Sequence, residues 1–471
     1  MSTFSGLNTA YTGLVAAQTG LNVVGQNIAN ATTDGYTRQR VTTSAVVAPP
    51  STTSFSTGVG QGVSVDGIAR LGNSFADAMV RTATASSGYW NVRSSAMTTL
   101  ETGLQEPGTN GLSTGLQNFW SAWQVFSNSA DTPASASVLL AQSGSLTGQI
   151  ASGYQQVDQQ WSGVRSNADT QVAALNNAAS QVAGLNGQIH STLATGGSAN
   201  ELIDKRNTLT TQIANLAGGT VRDRGDGTVD VLIGGNQLVS GTTANTVKLA
   251  GSYLMSGASG APVQLEWSSS PGSAIPLDGG EIGGSVAMLA AANSTGDGGP
   301  IAEAAASYSA FATALATQVN AVHETGVVGG TTGHDFFAID SSKPAALGLS
   351  VIPTDSTGIA NGAVGAGAYD GSIADAISQL GTGSTSPDTI WSGIVTGIGA
   401  ASQVASQQST LSDLSTTSAT NAQLSNSAVS LDEENVNMIT FQHAYQGAAR
   451  VMTTLDQMLD TLINHTGTVG L

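Results

Sequence analysis

The sequence predicts an α+β fold that is elongated and mainly α-helical, with coiled-coil segments at both ends and an inserted β-rich domain. Three observations support this prediction. Apolar residues recur every three or four positions over most of the chain, and both ends contain such rows in heptad-like spacing. From residue 219 the pattern changes to short alternating runs separated by glycine-rich turns. The length of 471 residues is enough for about three domains.

The N-terminal segment predicts a helix with one apolar row. Residues 1–33 contain no charged side chain, and the apolar positions follow one another at intervals of four and three, interrupted at Gln18 and Gly25. The opposite face is neutral and polar, which suits burial among other protein surfaces. We call these residues the N-terminal row: Leu7, Tyr11, Leu14, Leu21 and Ile28.

Amino-acid composition and hydrophobic periodicity predict the elements that follow. Residues 42–57, with Pro49 and Pro50, are expected to form an extended linker. Helical patterns then extend to about residue 216 and include an aromatic group, Phe119, Trp120, Trp123 and Phe126, which predicts a hydrophobic core rather than a ligand-stacking site. The predicted elements are helices at 71–104 and 133–189, strands within 219–267, helices at 281–289 and 302–324, a strand at 336–339 and a helix at 388–424.

The C-terminal segment predicts a second, stronger helix. Ser430 followed by Glu433 is a capping box, and Asp432 and Glu434 place negative charge at the positive end of the helix dipole. We call its apolar residues the C-terminal row: Met438, Phe441, Tyr445, Ala448, Met452, Leu455, Leu459 and Leu462.

The two terminal rows match in length, so we expect the N-terminal helix to pair with the C-terminal helix. Two helices bury one row and leave their other sides exposed, which favours helices that are poorly ordered in the monomer and form when neighbouring subunits cover them. The alternative is that both are ordinary core helices of one domain. On the first hypothesis, the assembly interface consists of the N-terminal and C-terminal rows.

The predicted domains are nested. A terminal coiled-coil domain consists of residues 1–57 and 430–471, and a helical body consists of residues 58–216, 281–325 and 373–429. Residues 217–280 form the β-rich insertion, and 326–372 form a loop region. This nesting brings both termini to the same end of the molecule.

Composition excludes several classes of function. The formal charge is −18, with only 13 scattered basic residues, so no basic surface is available for nucleic acid. Without cysteine there is no disulfide, thiolate nucleophile or cysteine-ligated zinc. No apolar run reaches the roughly 18 residues of a membrane helix, and the N-terminus lacks the features of a cleaved signal peptide.

No motif predicts catalysis, a metal or a cofactor. The five histidines never occur at metal-ligand spacing, and no Gly-x-Ser-x-Gly element has a credible His and acid partner. The tripeptide 224–226 (RGD) is interpreted as hairpin turn chemistry, and the glycine-rich residues 329–335 as a plain loop. We therefore expect a protein that is not an enzyme.

Two N-terminal segments resemble a known family. Residues 21–30 (LNVVGQNIAN) and 34–41 (DGYTRQRV) are similar to the N-terminal signature of the flagellar axial proteins, which include rod, hook and hook-associated proteins. Asp34 stands where the family commonly has proline, and Asp-Gly still permits a turn. Residues 60–70 (GQGVSVDGIAR) are a second shared element and predict a short strand.

C-terminal and internal segments narrow the resemblance to the hook–filament junction proteins. They are residues 429–434 (VSLDEE), 441–446 (FQHAYQ), 449–451 and 459–463, together with 202–207 (LIDKRN) and 334–339 (HDFFAI). Larger members insert an outer β domain after the last of these. Here only residues 341–372 occupy that place, so we expect a reduced remnant.

The resemblance implies a structural component of the bacterial flagellum that joins hook to filament. The implied partners are further copies of the chain, the hook protein, the second hook-associated junction protein and the filament. It also implies a cytoplasmic export chaperone on the C-terminal segment, the flagellar type III export apparatus and an extracellular location in the flagellum. The alternatives are another axial protein, such as a hook or distal-rod component, or a secreted surface adhesin.

Overall fold

A computed structural model describes residues 3–47, 60–129, 132–367 and 369–465. The helices in these ranges are α1 (Thr3–Ala29), α2 (Ser74–Gly103), α3 (Leu112–Asn128), α4 (Pro133–Ala194), α5 (Asn200–Ala217), α6 (Gly280–Met288), α7 (Pro300–His323), α8 (Ala345–Gly348), α9 (Ser372–Ser378), α10 (Pro387–Ser427) and α11 (Leu431–Asp460). The strands are β1 (Gln39–Ala45), β2 (Val63–Arg70), β3 (Thr220–Asp223), β4 (Val229–Ile233), β5 (Asn236–Ser240), β6 (Thr243–Ala244), β7 (Val247–Ala250), β8 (Gln264–Trp267), β9 (Ser270–Ala274), β10 (Phe337–Ile339) and β11 (Leu349–Val351). The fold is α+β and elongated.

A hairpin follows α1. Strands β1 and β2 pair antiparallel, with Gln39 opposite Arg70 and Ala45 opposite Val63. The expected strand within 60–70 is therefore confirmed, whereas the linker predicted for 42–57 is wrong at residues 42–45. The Ser/Thr/Val run there is compatible with a strand, and its partner lies some twenty residues further along the chain. Residues 48–57 lie outside the described ranges.

The helical body is built around the 62-residue helix α4, about 93 Å long at 1.5 Å per residue. Leu139, Ile150, Trp161 and Leu175 are fully buried along one side of it. Helix α10 lies antiparallel on α2 through small residues, since Ser86 contacts Ser412 and Ala419 packs with Val80 and Ala83. Small side chains let these two helices approach closely.

The aromatic group of α3 is part of the core, as predicted. Phe119 and Trp123 are fully buried and contact Phe336, whose ring centroid lies 4.9 Å from that of Trp123. Buried His323 joins this cluster: its Nδ1–H donates to the His334 carbonyl and its Nε2 accepts from the Ala360 amide. Burial lowers the pKa of His323, so the neutral tautomer connects α7 to the segment after it.

The β-rich insertion consists of two antiparallel sheets, with strand order β3-β4-β5-β6 and β7-β8-β9. Its last strand ends at Ala274, seven residues beyond the region predicted to contain strands (219–267) and within the predicted insertion (217–280). The tripeptide 224–226 lies in the turn between β3 and β4, where the Asp226 carboxylate accepts from the Thr228 amide and hydroxyl. Two arginines, Arg222 and Arg224, pair with buried Asp230, and they hold the pKa of that carboxyl down at about 2.

Three polar side chains of α4 attach the insertion to the body. Buried Asn186 donates to the carbonyls of Val229 and Gly241, and half-buried Asn176 bonds both the amide and the carbonyl of Val247. Arg165, nearer the N-terminus of α4, donates to the carbonyl of Leu249 in β7. These bonds satisfy backbone groups of the sheets, so α4 and the insertion form one continuous structure.

The segment after α7 contains few regular elements. Strands β10 and β11 pair antiparallel, with Phe337 opposite Val351, and one-turn helix α8 lies between them.

None of the helices in the described ranges is both long and apolar enough to cross a membrane.

Candidate functional site

The contact between α1 and α11 is made by small residues on one helix and large residues on the other. A Cβ placed on Gly20 would lie 2.6 Å from the Phe441 ring, and one on Gly6 would lie 3.3 Å from Leu455. Between them, a Cβ on Gly13 would lie 3.9 Å from that of Ala448. Each step of seven along α1 is matched by a step of seven back along α11, so the helices are antiparallel. We call Gly6, Gly13 and Gly20 the glycine row.

The α1 row that contacts α11 is displaced by one position from the predicted N-terminal row. The buried α1 residues are Ala10, Ala17, Gly20, Val23, Val24 and Asn27. In the N-terminal row, Leu7, Leu14, Leu21 and Ile28 are only half-buried, and Tyr11 is 55% exposed. Glycine permits the closest approach of two helices, so the small side of α1, rather than its apolar side, faces α11.

The C-terminal row does face α1. Phe441, Ala448 and Leu455 lie against the glycine row, and Met438, Met452 and Leu459 are half-buried beside them. Tyr445 is 36% exposed and Leu462 is 59% exposed, so the ends and edges of this row remain open. A further set of α11 residues, on other sides of the helix, is exposed: Val436, Ile439, Val451 and Met458.

A polar cluster closes the contact where the helices meet the body. Asn27 is 1% exposed, and its Nδ2 donates to the Gln39 carbonyl (2.9 Å) and to Glu434 Oε2 (3.1 Å). Its Oδ1 accepts from the Gln39 amide (3.0 Å) and from the Tyr36 hydroxyl (2.9 Å). Both donors and both acceptors of this amide are therefore used.

Glu434 continues the cluster on α11. Its side chain is 1% exposed, and its Oε1 accepts from Arg38 Nε at 2.7 Å. Arg38 also pairs with Glu433 at the rim, and these two carboxylates raise the pKa of its guanidinium against the opposing effect of burial. We call Asn27, Tyr36, Arg38, Gln39 and Glu434 the polar hub. A buried carboxylate with both oxygens bonded to donors avoids the cost of an unpaired charge.

Further bonds connect the polar hub to the body. The Thr37 amide donates to Asp204 of α5 (3.0 Å), and Arg70 of β2 donates to the same carboxylate (2.6 Å). The Arg38 amide donates to the Ser427 carbonyl at the end of α10. The terminal helices are thus joined to β1, β2, α5 and α10 by hydrogen bonds.

The polar hub consists of residues from the quoted motifs, but only Glu434 was singled out from the sequence, and for the helix dipole rather than for a contact with α1. Asn27 belongs to residues 21–30, Tyr36, Arg38 and Gln39 to residues 34–41, and Glu434 to residues 429–434. The signal that could have indicated a buried polar cluster was the presence of these polar residues in terminal segments with otherwise neutral or apolar patterns. Asn27 and Arg38 lie some 400 residues from Glu434 in sequence, so no local pattern reveals that they meet.

Tyr36 makes the stability of this cluster depend on pH. Burial, with the nearby carboxylates of Glu201, Asp204 and Glu434, raises the pKa of Tyr36 from 10.0 to about 12. The unfolded tyrosine ionises near pH 10 while the folded one stays protonated, so this contribution is complete below pH 10 and is lost as pH rises toward 12.

We therefore expect Tyr36→Phe to be less stable than the parent by about 1 kcal/mol at pH 8.5, through the lost bond to Asn27. The difference between the two proteins should shrink at pH 11.5. Thermal unfolding of both proteins at the two pH values measures it, and the comparison removes the titration of the other tyrosines. A difference that is equal at both pH values would contradict this assignment.

A cleft of about 700 Å³ lies beside the polar hub, between α1, β1 and α11. Val24 and Phe441 supply apolar lining, and Arg40 and Asp432 supply charge of both signs. Within the described ranges, no group of three or more His, Asp or Glu side chains is arranged to hold a metal ion. The arrangement provides helix surfaces and a rigid attachment, the parts that a subunit interface requires.

Protein-family models match three parts of the chain. Residues 97–337 match the flagellar hook-associated protein FlgK helical domain. Residues 7–37 match the flagella basal body rod protein model, and residues 421–465 match the flagellar basal body rod FlgEFG protein C-terminal model. The two rod-protein models cover most of α1 and all of α11, with Asn27, Tyr36 and Glu434 of the polar hub, and the helical-domain model covers most of the body.

Curated relatives agree with these models. Flagellar hook-associated protein 1 of Bacillus subtilis is 30% identical over 100% of this chain and 99% of that protein. Flagellar hook-associated protein 1 of Escherichia coli is 28% identical over 72% of this chain and 61% of that protein. Among solved structures, the flagellar hook junction protein FlgK of Burkholderia pseudomallei superposes with a TM-score of 0.62 at 16% identity. That match covers 74% of this chain and 99% of the other, and it shows the shared fold.

Proposed function

Since the chain belongs to the flagellar hook-associated protein 1 family, we propose that its α1–α11 pair is the surface through which copies of the chain assemble into the flagellar axis. Its role is structural, at the junction between hook and filament. The helical-domain match over residues 97–337 favours a hook-associated protein over a hook or rod component, because the rod-protein models match only the two ends. It also disfavours a secreted adhesin.

The observation that supports this proposal is the unequal use of the two faces of α1. The small residues face α11, and the larger apolar side chains of the N-terminal row stay half-buried or exposed. On α11, Val436 and Ile439 are exposed as well. Apolar residues outside the mutual contact of two helices become buried when further protein surfaces cover them, and identical neighbours in a polymer supply such surfaces.

We extend the proposal to the partners on either side. The hook protein would lie below this subunit, and the second hook-associated junction protein and the filament above it. The C-terminal segment, including α11, would be held before assembly by a cytoplasmic export chaperone, and the chain would leave the cell through the flagellar type III export apparatus. Its location would then be the extracellular flagellum. No catalytic role is proposed.

Unfolded passage through an export channel fits a charge-free N-terminal segment, because residues 1–33 have too few large side chains to hold a core alone. We therefore expect the α1–α11 pair to open frequently in the purified monomer, so that residues 2–30 and 436–463 exchange their amide hydrogens rapidly through this opening even though the closed pair keeps its register. In the assembled form, neighbouring helices cover the same amides and should slow that exchange by orders of magnitude.

Amide exchange followed by mass spectrometry, on the monomer and on isolated hook–filament junctions, measures this difference. Peptides from α4 are the internal control, since their buried residues should be protected in both states. Equal protection of the terminal segments in monomer and assembly would contradict the proposal that neighbouring subunits cover them.

A further inference from the structure

We propose that the buried Asn27–Glu434 pair fixes the register in which α1 and α11 associate. The two side chains are each 1% exposed and are joined at 3.1 Å. They lie one heptad beyond the contact between Gly20 and Phe441, on the same line of contacts. Asn27 is thus the polar member of a row that otherwise consists of glycine, alanine and valine.

The repetition of the buried α1 row makes its register weakly specified without such a pair. Its small residues recur every three or four positions: Gly6, Ala10, Gly13, Ala17, Gly20 and Val24. A slip by one heptad places Gly13 opposite Phe441 in one direction and opposite Leu455 in the other, so a glycine still faces a large side chain of α11. Packing alone therefore distinguishes poorly between the observed register and its neighbours.

The polar pair distinguishes them because it has no equivalent one heptad away. A slip in one direction places Glu434 opposite Gly20, and a slip in the other places Asn27 opposite Phe441. Either slip separates the carboxylate from the Asn27 amide and leaves buried polar groups unpaired, which is more costly than losing an exposed hydrogen bond. A single buried polar residue specifies register in coiled coils in the same way, at some cost in stability.

The register has a consequence for assembly, and this part rests on the function proposed above. The same Asn27 bonds both backbone groups of Gln39, and the Arg38 amide is bonded to Ser427 of α10. These bonds therefore fix the height of α11 along α1 relative to the helical body. A subunit with slipped helices would present its N-terminal and C-terminal rows at the wrong relative height to its neighbours.

Disulfide trapping tests the register directly, because the chain contains no cysteine. The native reporter is Gly13→Cys with Ala448→Cys, where the Cβ separation of 3.9 Å suits a disulfide. The slipped reporters are Gly6→Cys with Ala448→Cys for one direction and Gly13→Cys with Leu455→Cys for the other. Each reporter is oxidised as full-length monomer at low concentration, and the intramolecular cross-link is quantified by mass spectrometry.

We expect the native reporter to cross-link and both slipped reporters to stay reduced in the parent protein. Asn27→Ala should raise one or both slipped cross-links by about tenfold or more, since it removes bonds to a buried charge. Glu434→Gln, which keeps the shape of the side chain, should raise them less. Asn22→Ala is the matched control on the exposed side of α1 and should leave the pattern unchanged.

Two outcomes would overturn the proposal. Slipped cross-links that stay at the parent level in Asn27→Ala would show that packing sets the register. Loss of the native cross-link without gain of a slipped one would show that the pair sets the strength of association instead. Assembly into the flagellum is scored separately, so failure of the cross-link test leaves the proposed function standing, and an assembly defect alone does not support the register inference.

Discussion

Cells that carry the double substitution Leu455→Asp with Leu459→Asp are expected to produce hooks without filaments and to shed filament subunits into the medium. Leu455 lies against Gly6, and both leucines are half-buried on the face of α11 toward α1. Two carboxylates on that face oppose both pairing within the subunit and packing against neighbours, because a charge loses hydration when it is buried.

Electron microscopy of the cells and analysis of the medium measure this outcome. The purified variant should keep the circular dichroism of the parent body, since α2 to α10 do not depend on these two side chains. Asn435→Asp with Gln442→Asp is the matched control, because it adds the same two charges to exposed positions on the side of α11 that already carries Asp456. Normal filaments in the Leu455/Leu459 variant would refute α11 as the assembly interface.

Replacement of Gly20 by valine is expected to separate α1 from α11. A Cβ at this position would lie 2.6–2.7 Å from three carbons of the Phe441 ring, which is well inside van der Waals contact. The ring must move or the helices must part, and overpacking of this kind typically costs about 1–3 kcal/mol. We expect the cross-link between cysteines at positions 13 and 448 to fall several-fold in this background.

The control for this experiment lies five residues further along the same helix. A Cβ on Gly25 meets no atom within 4 Å, so Gly25→Val makes the same change in helix propensity without a clash. If both valine variants lower the cross-link equally, the effect comes from propensity and the close approach at Gly20 is unimportant. Assembly should also fail in the Gly20 variant.

Much of the fold could be predicted from local patterns. The C-terminal row predicted α11 and its contacting face, and Ser430 caps the helix as predicted, with its hydroxyl accepting from the Glu433 amide. The Glu433 side chain pairs with Arg38 and does not complete the capping box. The aromatic group of α3 was correctly predicted as core, and the change of period near 219 located the β-rich insertion. Periodicity succeeds where the residues that pack together are also the large apolar ones.

Three features were beyond local patterns. Residues 42–45 form a strand only because residues 63–67 pair with them, and a Ser/Thr/Val run is compatible with either strand or linker. The face of α1 was displaced by one position because an apolar pattern ignores glycine, whereas the close approach of α11 selects it. The polar hub was missed since its members contribute nothing to an apolar row.

The sequence by itself determined that both ends are helical, that the middle contains an inserted β-rich region and that the motifs are those of the flagellar axial proteins. These properties depend on residues close together in the chain, where backbone propensity and side-chain period act. Only the tertiary structure decided that Asn27, Arg38 and Glu434 meet, and that the glycine row rather than the leucines of α1 faces α11. Contacts between segments about 400 residues apart are selected by steric fit and by the pairing of buried polar groups, which exist only when the chain is folded.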